Sequence, residues 1–261
     1  MLAIERRNAI LLKLAAEGKV LVGNLSQEFD VTEETIRRDL EKLDNEGLVK
    51  KTYGGAIRVD NTSLDLPFQV RRQENVEAKQ KIAAKISTMI DDGAHLMLDS
   101  SSTALSLIQY IINRKNITLI TNSIEILLEL CNKHDWNIIS TGGTLKEGGL
   151  SLVGYQAEKS LTDFHVDLAV CSCKGIDLNS GITDSNEADA AIKNIIFESA
   201  TKRILAIDST KFDCVSFVRV CNLSNVDVIV TDSEPDSKWK KYCADNGVEL
   251  LYEEYNSEEN I

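Results

Sequence analysis

Residues 31–55, VTEETIRRDLEKLDNEGLVKKTYGG, decide the reading of the first part of the chain. Thr32 is a good N-cap type, and Glu33 and Glu34 fall in the first turn, where negative charge complements the helix dipole. Ile36, Leu40 and Leu43 recur at helical spacing and make one buried stripe, with Arg38 nearly opposite and Thr35 and Arg37 on its flanks. Gly47 lies just past the periodic stretch as a stop. Leu48 to Tyr53 then reads as a strand closed by Gly54-Gly55, a wing bearing Lys50 and Lys51.

Upstream, Ile4, Ile10, Leu11 and Leu14 mark an amphipathic helix, Lys19 to Val22 a short strand, and Asn24 to Phe29 a second helix ending at Asp30. Helix, strand, helix, tight turn, helix and hairpin is the order of a winged helix-turn-helix, in which the helix after the turn enters the major groove. Thr32, Thr35, Arg37, Arg38, Lys50, Lys51 and Tyr53 are therefore the candidate DNA-facing residues. Either basic pair alone would read as a solvated face; the two in this arrangement point to nucleic acid. Residues 1–57 hold nine Lys/Arg and ten Asp/Glu, so affinity must come from local placement of charge, doubled by dimerisation.

At 261 residues the chain suits two domains: 3–58 as the winged helix-turn-helix, 59–74 as a linker with no sustained period, and 75–255 as a larger body. The hydrophobic content of 43% supplies one substantial core. The net charge is −12, of which the head carries −1, so the body repels nucleic acid, membranes and free anions at long range. The N-terminus lacks a signal-peptide apolar segment and no stretch reaches a membrane span's eighteen apolar residues, so the expected location is the cytoplasm. Six cysteines without a Cys-x-x-Cys spacing imply buried free thiols, with no metal and no cofactor.

The body alternates short apolar runs with helical stretches. A helix over Lys81–Ile90 leads through Asp91-Asp92-Gly93 to the strand His95–Leu98, and Ile117–Ile120, Asn137–Ser140, Asp167–Val170, Ile204–Ile207, Val226–Val230 and Val248–Leu251 read as further strands. Such alternation predicts an α/β fold with a mostly parallel sheet covered on both faces, whose ligands sit at the carboxyl ends of the strands. Polar loops fall at that edge: Asp99-Ser100-Ser101-Ser102-Thr103 before a helix, Thr121-Asn122-Ser123, Gly142-Gly143, Lys174-Gly175 and Lys211. Hydroxyls and unpaired N–H groups at a helix start make a phosphate cradle, while Asn122 and the lysines suit sugar oxygens or the phosphate. Lys211 is read equally well as a salt bridge to Asp208 or Asp213. His95, His134 and His165 are read as packed or exposed rather than catalytic.

Thr35-Ile36-Arg37-Arg38-Asp39-Leu40, followed by Gly47-Leu48 and Tyr53-Gly54-Gly55-Ala56, resembles the signature of DeoR-type bacterial transcription regulators. Asp99-Ser100, Thr121-Asn122-Ser123, Gly142-Gly143, Ser151-Leu152-Val153-Gly154, Gly175-Ile176-Asp177 and Asp208-Ser209-Thr210-Lys211-Phe212 resemble that family's sensor motifs, in order. The resemblance implies a head that binds operator double-stranded DNA and a body that senses a phosphorylated sugar. It also implies a body fold related to ribose-phosphate isomerases and glucosamine-phosphate deaminases. The resulting expectation is a homo-oligomeric regulator, a repressor of a sugar-metabolism operon, and not an enzyme; the alternative is a sugar-phosphate isomerase or deaminase. The family's Ser-Gly-Thr-Thr loop stands here as Ser100–Thr103, and Lys174 replaces a smaller residue. Where the family has glutamate four residues before a lysine, Asp189 precedes Lys193, with Glu187 as the other candidate carboxylate.

Overall fold

A computed structural model describes residues 1–59, 65–133, 135–146 and 148–253. Residues 60–64 of the expected linker, His134 and the expected domain end at 255 lie outside the described residues. The chain divides into two compact units, Met1–Glu74 and Asn75–Ile261.

The first unit runs α1 (Ala3–Glu17), β1 (Lys19–Leu21), α2 (Val22–Phe29), α3 (Glu33–Asn45), β2 (Val49–Thr52), β3 (Gly55–Arg58) and α4 (Phe68–Gln73). Ile10, Leu11, Leu14, Leu25, Ile36, Leu40 and Leu43 interlock as its core, with Val49 and Ala56 closing it from the wing side. α3 starts where Thr32 accepts the Thr35 N–H at 3.3 Å. It ends in a Schellman motif: Gly47 takes φ +73°, its N–H bonds Asp44 O at 2.9 Å, and Leu48 N–H bonds Leu43 O at 2.9 Å. The three strands form an antiparallel sheet in the order β1-β3-β2. Lys51 faces Ala56 and Thr52 faces Gly55, so the wing turns at Tyr53-Gly54 and Gly55 opens the return strand rather than closing the turn. A Cβ on Gly55 would lie 1.8 Å from Val20 O, so the close approach of β3 to β1 requires glycine. α2 also starts two residues earlier than expected, with Val22 buried.

α4 departs from the expected linker. Phe68 and Val70 are fully buried, and Val70 joins the core of the first unit, so the last third of that segment is helix. Six residues are too short for periodicity to reveal.

The second unit contains α5 (Val76–Ser87), β4 (His95–Leu98), α6 (Ser102–Ile111), β5 (Thr118–Thr121), α7 (Ile124–Leu130), β6 (Asn137–Ser140), β7 (Thr144–Lys146), β8 (Ser151–Val153), α8 (Tyr155–Thr162), β9 (Val166–Cys171), β10 (Gly175–Asp177), β11 (Gly181–Asp184), α9 (Glu187–Glu198), β12 (Ala200–Ala206), β13 (Val218–Cys221), β14 (Val228–Val230), α10 (Ser237–Asn246) and β15 (Glu249–Leu251). Its main sheet is seven-stranded, ordered β15-β14-β12-β9-β4-β5-β6, and every pairing in it is parallel. The apolar centres of β4, β9 and β12 are buried on both faces, which is why their sequences read as continuous rather than alternating. Two antiparallel additions, the hairpin β7-β8 and the sheet β10-β11-β13, escape the sequence pattern because their short strands, such as Thr144-Leu145-Lys146 and Gly175-Ile176-Asp177, are broken by polar residues or glycine and form no continuous apolar run. Both extend from loops at the carboxyl edge of the main sheet. No helix among the described residues is long and apolar enough to cross a membrane.

Candidate functional site

In the first unit the predicted DNA-facing residues lie on α3, its N-cap and the wing, all exposed except the half-buried Thr35. Arg38 is 77% exposed and pairs with Glu34 at 3.1 Å, and Arg37 pairs with Glu33 at 2.6 Å. Both are surface i,i+4 pairs worth a few tenths of a kcal/mol, about 0.3–0.5 each, so phosphates can displace the glutamates at little cost. Thr32 and Thr35 bond each other through their hydroxyls at 3.0 Å. Lys50 and Lys51 are exposed on β2, with Lys51 N–H anchored on Asp44 at 2.8 Å, and Tyr53 stands fully in solvent at the wing tip.

Asp39, read in sequence only as part of a charged motif, is buried. It accepts from Arg6 Nε at 2.5 Å and lies 3.7 Å from Arg7, so α1 is clamped to α3 behind the exposed arginines. The signal missed was helical phase: Asp39 adjoins Leu40 and Leu43 on the inner side rather than Arg38 on the outer.

In the second unit the carboxyl edge of the sheet gathers most of the predicted polar residues around a buried ion cluster. Asp99, at the end of β4, is completely buried and accepts from Ser101 N–H at 3.1 Å, Ser101 Oγ at 2.5 Å and Ser172 N–H at 3.1 Å. Lys193, from α9, places Nζ 3.5 Å from Asp99 and 2.5 Å from Asp184. Burial raises the Asp99 carboxyl above its ordinary value, against Lys193 and the three hydrogen bonds. Burial opposes charge on Lys193, but Asp184, Asp99 and Asp189 outweigh it and hold the ammonium protonated. Ser101 Oγ also accepts the Ala104 N–H at 3.0 Å, so this one hydroxyl both caps α6 and holds Asp99.

Ser100, Ser102 and Thr103 are buried at the start of α6, beside the Ser101 cap and at the positive end of the helix dipole. Thr121 and Ser123 are buried but spent internally: Thr121 Oγ1 donates to Leu98 O at 2.7 Å, and Ser123 caps α7 through Ile126 N–H at 3.3 Å. Asn122 donates Nδ2–H to Leu152 O at 3.1 Å, while its buried Oδ1 has no partner. Of the two carboxylates left open by the sequence, Glu187 lies exposed and Asp189 turns inward. Asp189 Oδ2 accepts from Lys146 Nζ at 2.6 Å and from Asn186 Nδ2 at 2.8 Å, and its buried Oδ1 is unpartnered.

The glycines divide. Gly142 is open, with φ +63° and no atom within 4 Å of an added Cβ. Gly143 and Gly175 are packing glycines, because a Cβ would meet Val153 O at 2.7 Å and Cys214 O at 2.4 Å respectively. Lys174 is half-buried and donates its N–H to Thr183 O at 3.1 Å. Lys211 is half-buried and reaches Asp208 at 4.0 Å, whereas Asp213 is engaged by Lys238 at 2.7 Å and Trp239 at 3.2 Å. His95 is exposed against Asp167 at 3.2 Å, and His165 against Thr201 at 3.0 Å, both far from this cluster in the sheet.

Sequence reading missed Lys146 and Asp184 as members of this constellation and named Lys193 only as the lysine that follows Asp189. Their common feature is position: Lys146 lies on the β7-β8 hairpin, Asp184 at the end of β11 and Lys193 in the second turn of α9, elements that meet the edge only in three dimensions.

Comparison with known proteins agrees with both halves. A DeoR-like helix-turn-helix domain model matches residues 6–62 and a DeoR C-terminal sensor domain model matches residues 74–233. The L-fucose operon activator of Haemophilus influenzae is 35% identical, over 93% of this chain and 97% of its own. The glycerol-3-phosphate regulon repressor of Escherichia coli is 27% identical, over 94% and 97%. Among solved structures, ribose 5-phosphate isomerase from Plasmodium falciparum aligns over 52% of each chain at 17% identity and a TM-score of 0.38, a likeness too slight to bear on function. With both of its domain models matched in order and relatives aligned end to end, the chain belongs to the DeoR family of DNA-binding transcriptional regulators.

Proposed function

We propose that the protein represses a sugar-metabolism operon by laying α3 in the major groove of operator DNA, with the wing on neighbouring phosphates, and that a phosphorylated sugar at the carboxyl edge of the body's sheet switches this binding. Arg37, Arg38, Lys50, Lys51 and Tyr53 face the DNA, while Thr32 and Thr35 frame the start of the helix. In the body, Ser100, Ser102 and Thr103 with the α6 N-terminus take the phosphate, and Gly142, Asn122 and Lys211 border the sugar. The protein acts in the cytoplasm as a homo-oligomer whose paired heads read half-sites about one helical turn apart.

The observation that carries the reading is that buried hydroxyls line the start of α6, where the helix dipole favours an anion, and that the buried oxygens Asn122 Oδ1 and Asp189 Oδ1 have no partner. The names of the relatives describe regulators of sugar or polyol-phosphate genes, an activator and a repressor, not enzymes. Fluorescence anisotropy with DNA from the region upstream of the protein's own gene and its neighbours, titrated with sugar phosphates, tests it. Ligand-dependent loss of DNA binding is the expected result; tighter binding with ligand would make the protein an activator or a co-repressed switch, and turnover of the sugar phosphate would favour the isomerase alternative.

A further inference from the structure

Among the described residues, the buried side-chain polar atoms left without a hydrogen bond are Asn122 Oδ1 and Asp189 Oδ1. Both are acceptors, Asn122 just past β5 and Asp189 in the first turn of α9, and both are tied to one hairpin. Asn122 Nδ2 and O bond the β8 residue Leu152 at 3.1 and 2.8 Å, and Asp189 accepts from Lys146 of β7, which pairs in register with Ser151 of β8. Leaving such an atom unpaired in the interior costs a large part of its lost hydration. Two of them held by the same hairpin indicate donors supplied from outside the chain.

Their neighbours fix their orientation. The amide of Asn122 cannot flip without losing the Leu152 bond, so Oδ1 is held outward from that contact. Asp189 has Oδ2 occupied by Lys146 and Asn186, which leaves Oδ1 as the one free oxygen of the pair. Burial disfavours charge on Asp189, but Lys193 and Lys146 outweigh it and hold the carboxyl below its ordinary range, so it stays an ionised, acceptor-only group. A phosphate oxygen is repelled there; a hydroxyl or an ammonium is not.

We infer that Asn122 Oδ1 and Asp189 Oδ1 form a hydroxyl-reading subsite that accepts from two donors of the effector and orients it with its phosphate toward the α6 N-terminus. This deepens the phosphosugar reading: it selects polyols with free hydroxyls at the end away from the phosphate and disfavours ligands with a second anionic group there. Asp189, rather than the exposed Glu187, is thereby the specificity-determining carboxylate.

Isothermal titration of the full chain with ribose 5-phosphate, glucose 6-phosphate, fructose 1-phosphate, their singly deoxygenated analogues, the unphosphorylated sugars and inorganic phosphate tests this. For whichever sugar phosphate binds most tightly, at least one deoxy analogue should bind about tenfold or more weakly, the loss for a charge-assisted hydrogen bond. In Asp189→Asn the amide oxygen is retained by Lys146 and Asn186, so its nitrogen replaces Oδ1 and an acceptor becomes a donor. The deoxy penalty should then shrink to within about twofold, the coupling expected of two groups in contact. Deoxy analogues that all bind as well as their parents to the unaltered protein overturn the subsite, and this arm stands even if Asp189→Asn fails to fold. Unphosphorylated sugars binding as tightly as phosphorylated ones, with the same deoxy penalties, would sustain the subsite while overturning the phosphate reading. Inorganic phosphate displacing ligands that show no deoxy penalty would do the reverse, and no binding by any probe overturns both.

Discussion

Three single residues in the head separate packing from recognition. Asp39→Ala leaves Arg6 buried without its partner, and loss of one member of a buried pair costs about 3–5 kcal/mol, to be read as a lowered urea midpoint for the head. Arg38→Ala removes only an exposed ion pair, so stability should stay within about 0.5 kcal/mol. Operator affinity, in contrast, should fall by about 1 kcal/mol or more, with the salt slope shallower by about one if the contact is to phosphate. An unchanged anisotropy titration for that variant would mean that α3 presents a different face to DNA. Gly55→Ala should disrupt the β1-β3 contact, since the new methyl would sit on Val20 O, and circular dichroism melting of the variant should show a loss of about 2 kcal/mol or more.

At the scale of elements, α9 is the strut that joins three separate pieces of the body. Lys193 binds the ends of β4 and β11 through Asp99 and Asp184, and Asp189 holds the β7-β8 hairpin through Lys146. Because the Asp189 carboxyl is depressed in the folded state, its contribution is fully present above its unfolded value near 3.8 and is lost as pH falls through the folded value. Lys146→Met should therefore be less stable than the parent by about 2 kcal/mol at neutral pH, the order expected for a partly buried pair. That gap should close as pH drops below 3.8, in denaturant titrations of the two proteins run side by side. A gap that persists undiminished in acid would mean that Lys146 contributes through packing of its methylenes and not through the pair.

At the scale of the whole molecule, one chain joins a head nearly neutral in net charge to a body that carries −11, so DNA affinity rests on the local placement of charge and not on the net charge. If effector and operator are linked, their effects are reciprocal: the factor by which a sugar phosphate weakens operator binding equals the factor by which operator weakens sugar-phosphate binding. Titrating the effector with and without operator DNA measures both sides, and unequal factors would mean that a further equilibrium, such as a change of assembly, contributes. Saturating effector, at about a hundred times its dissociation constant, should raise the stability of the body by about 2.7 kcal/mol in a thermal scan.

The helix α3, its Thr32 cap, its Gly47 stop and the succession of the main sheet's strands along the chain were legible in sequence because each is a local fact, whereas their order within the sheet was not. Capping, helical phase and apolar runs depend on residues within a turn or two of one another. The main sheet followed from alternation, and the polar loops from their place after each strand. What only the tertiary structure decided was which polar groups are already spent. Thr121, Ser123 and Ser101 bond their own backbone or neighbouring strand, Gly143 and Gly175 serve close packing, and Asp39 clamps a helix, whereas Asp189 and Asn122 each keep one buried oxygen unpaired. Hydrogen-bond satisfaction depends on partners tens of residues away, as with Lys146 and Asp189 or Asn122 and Leu152, and no local pattern in the chain encodes such distances.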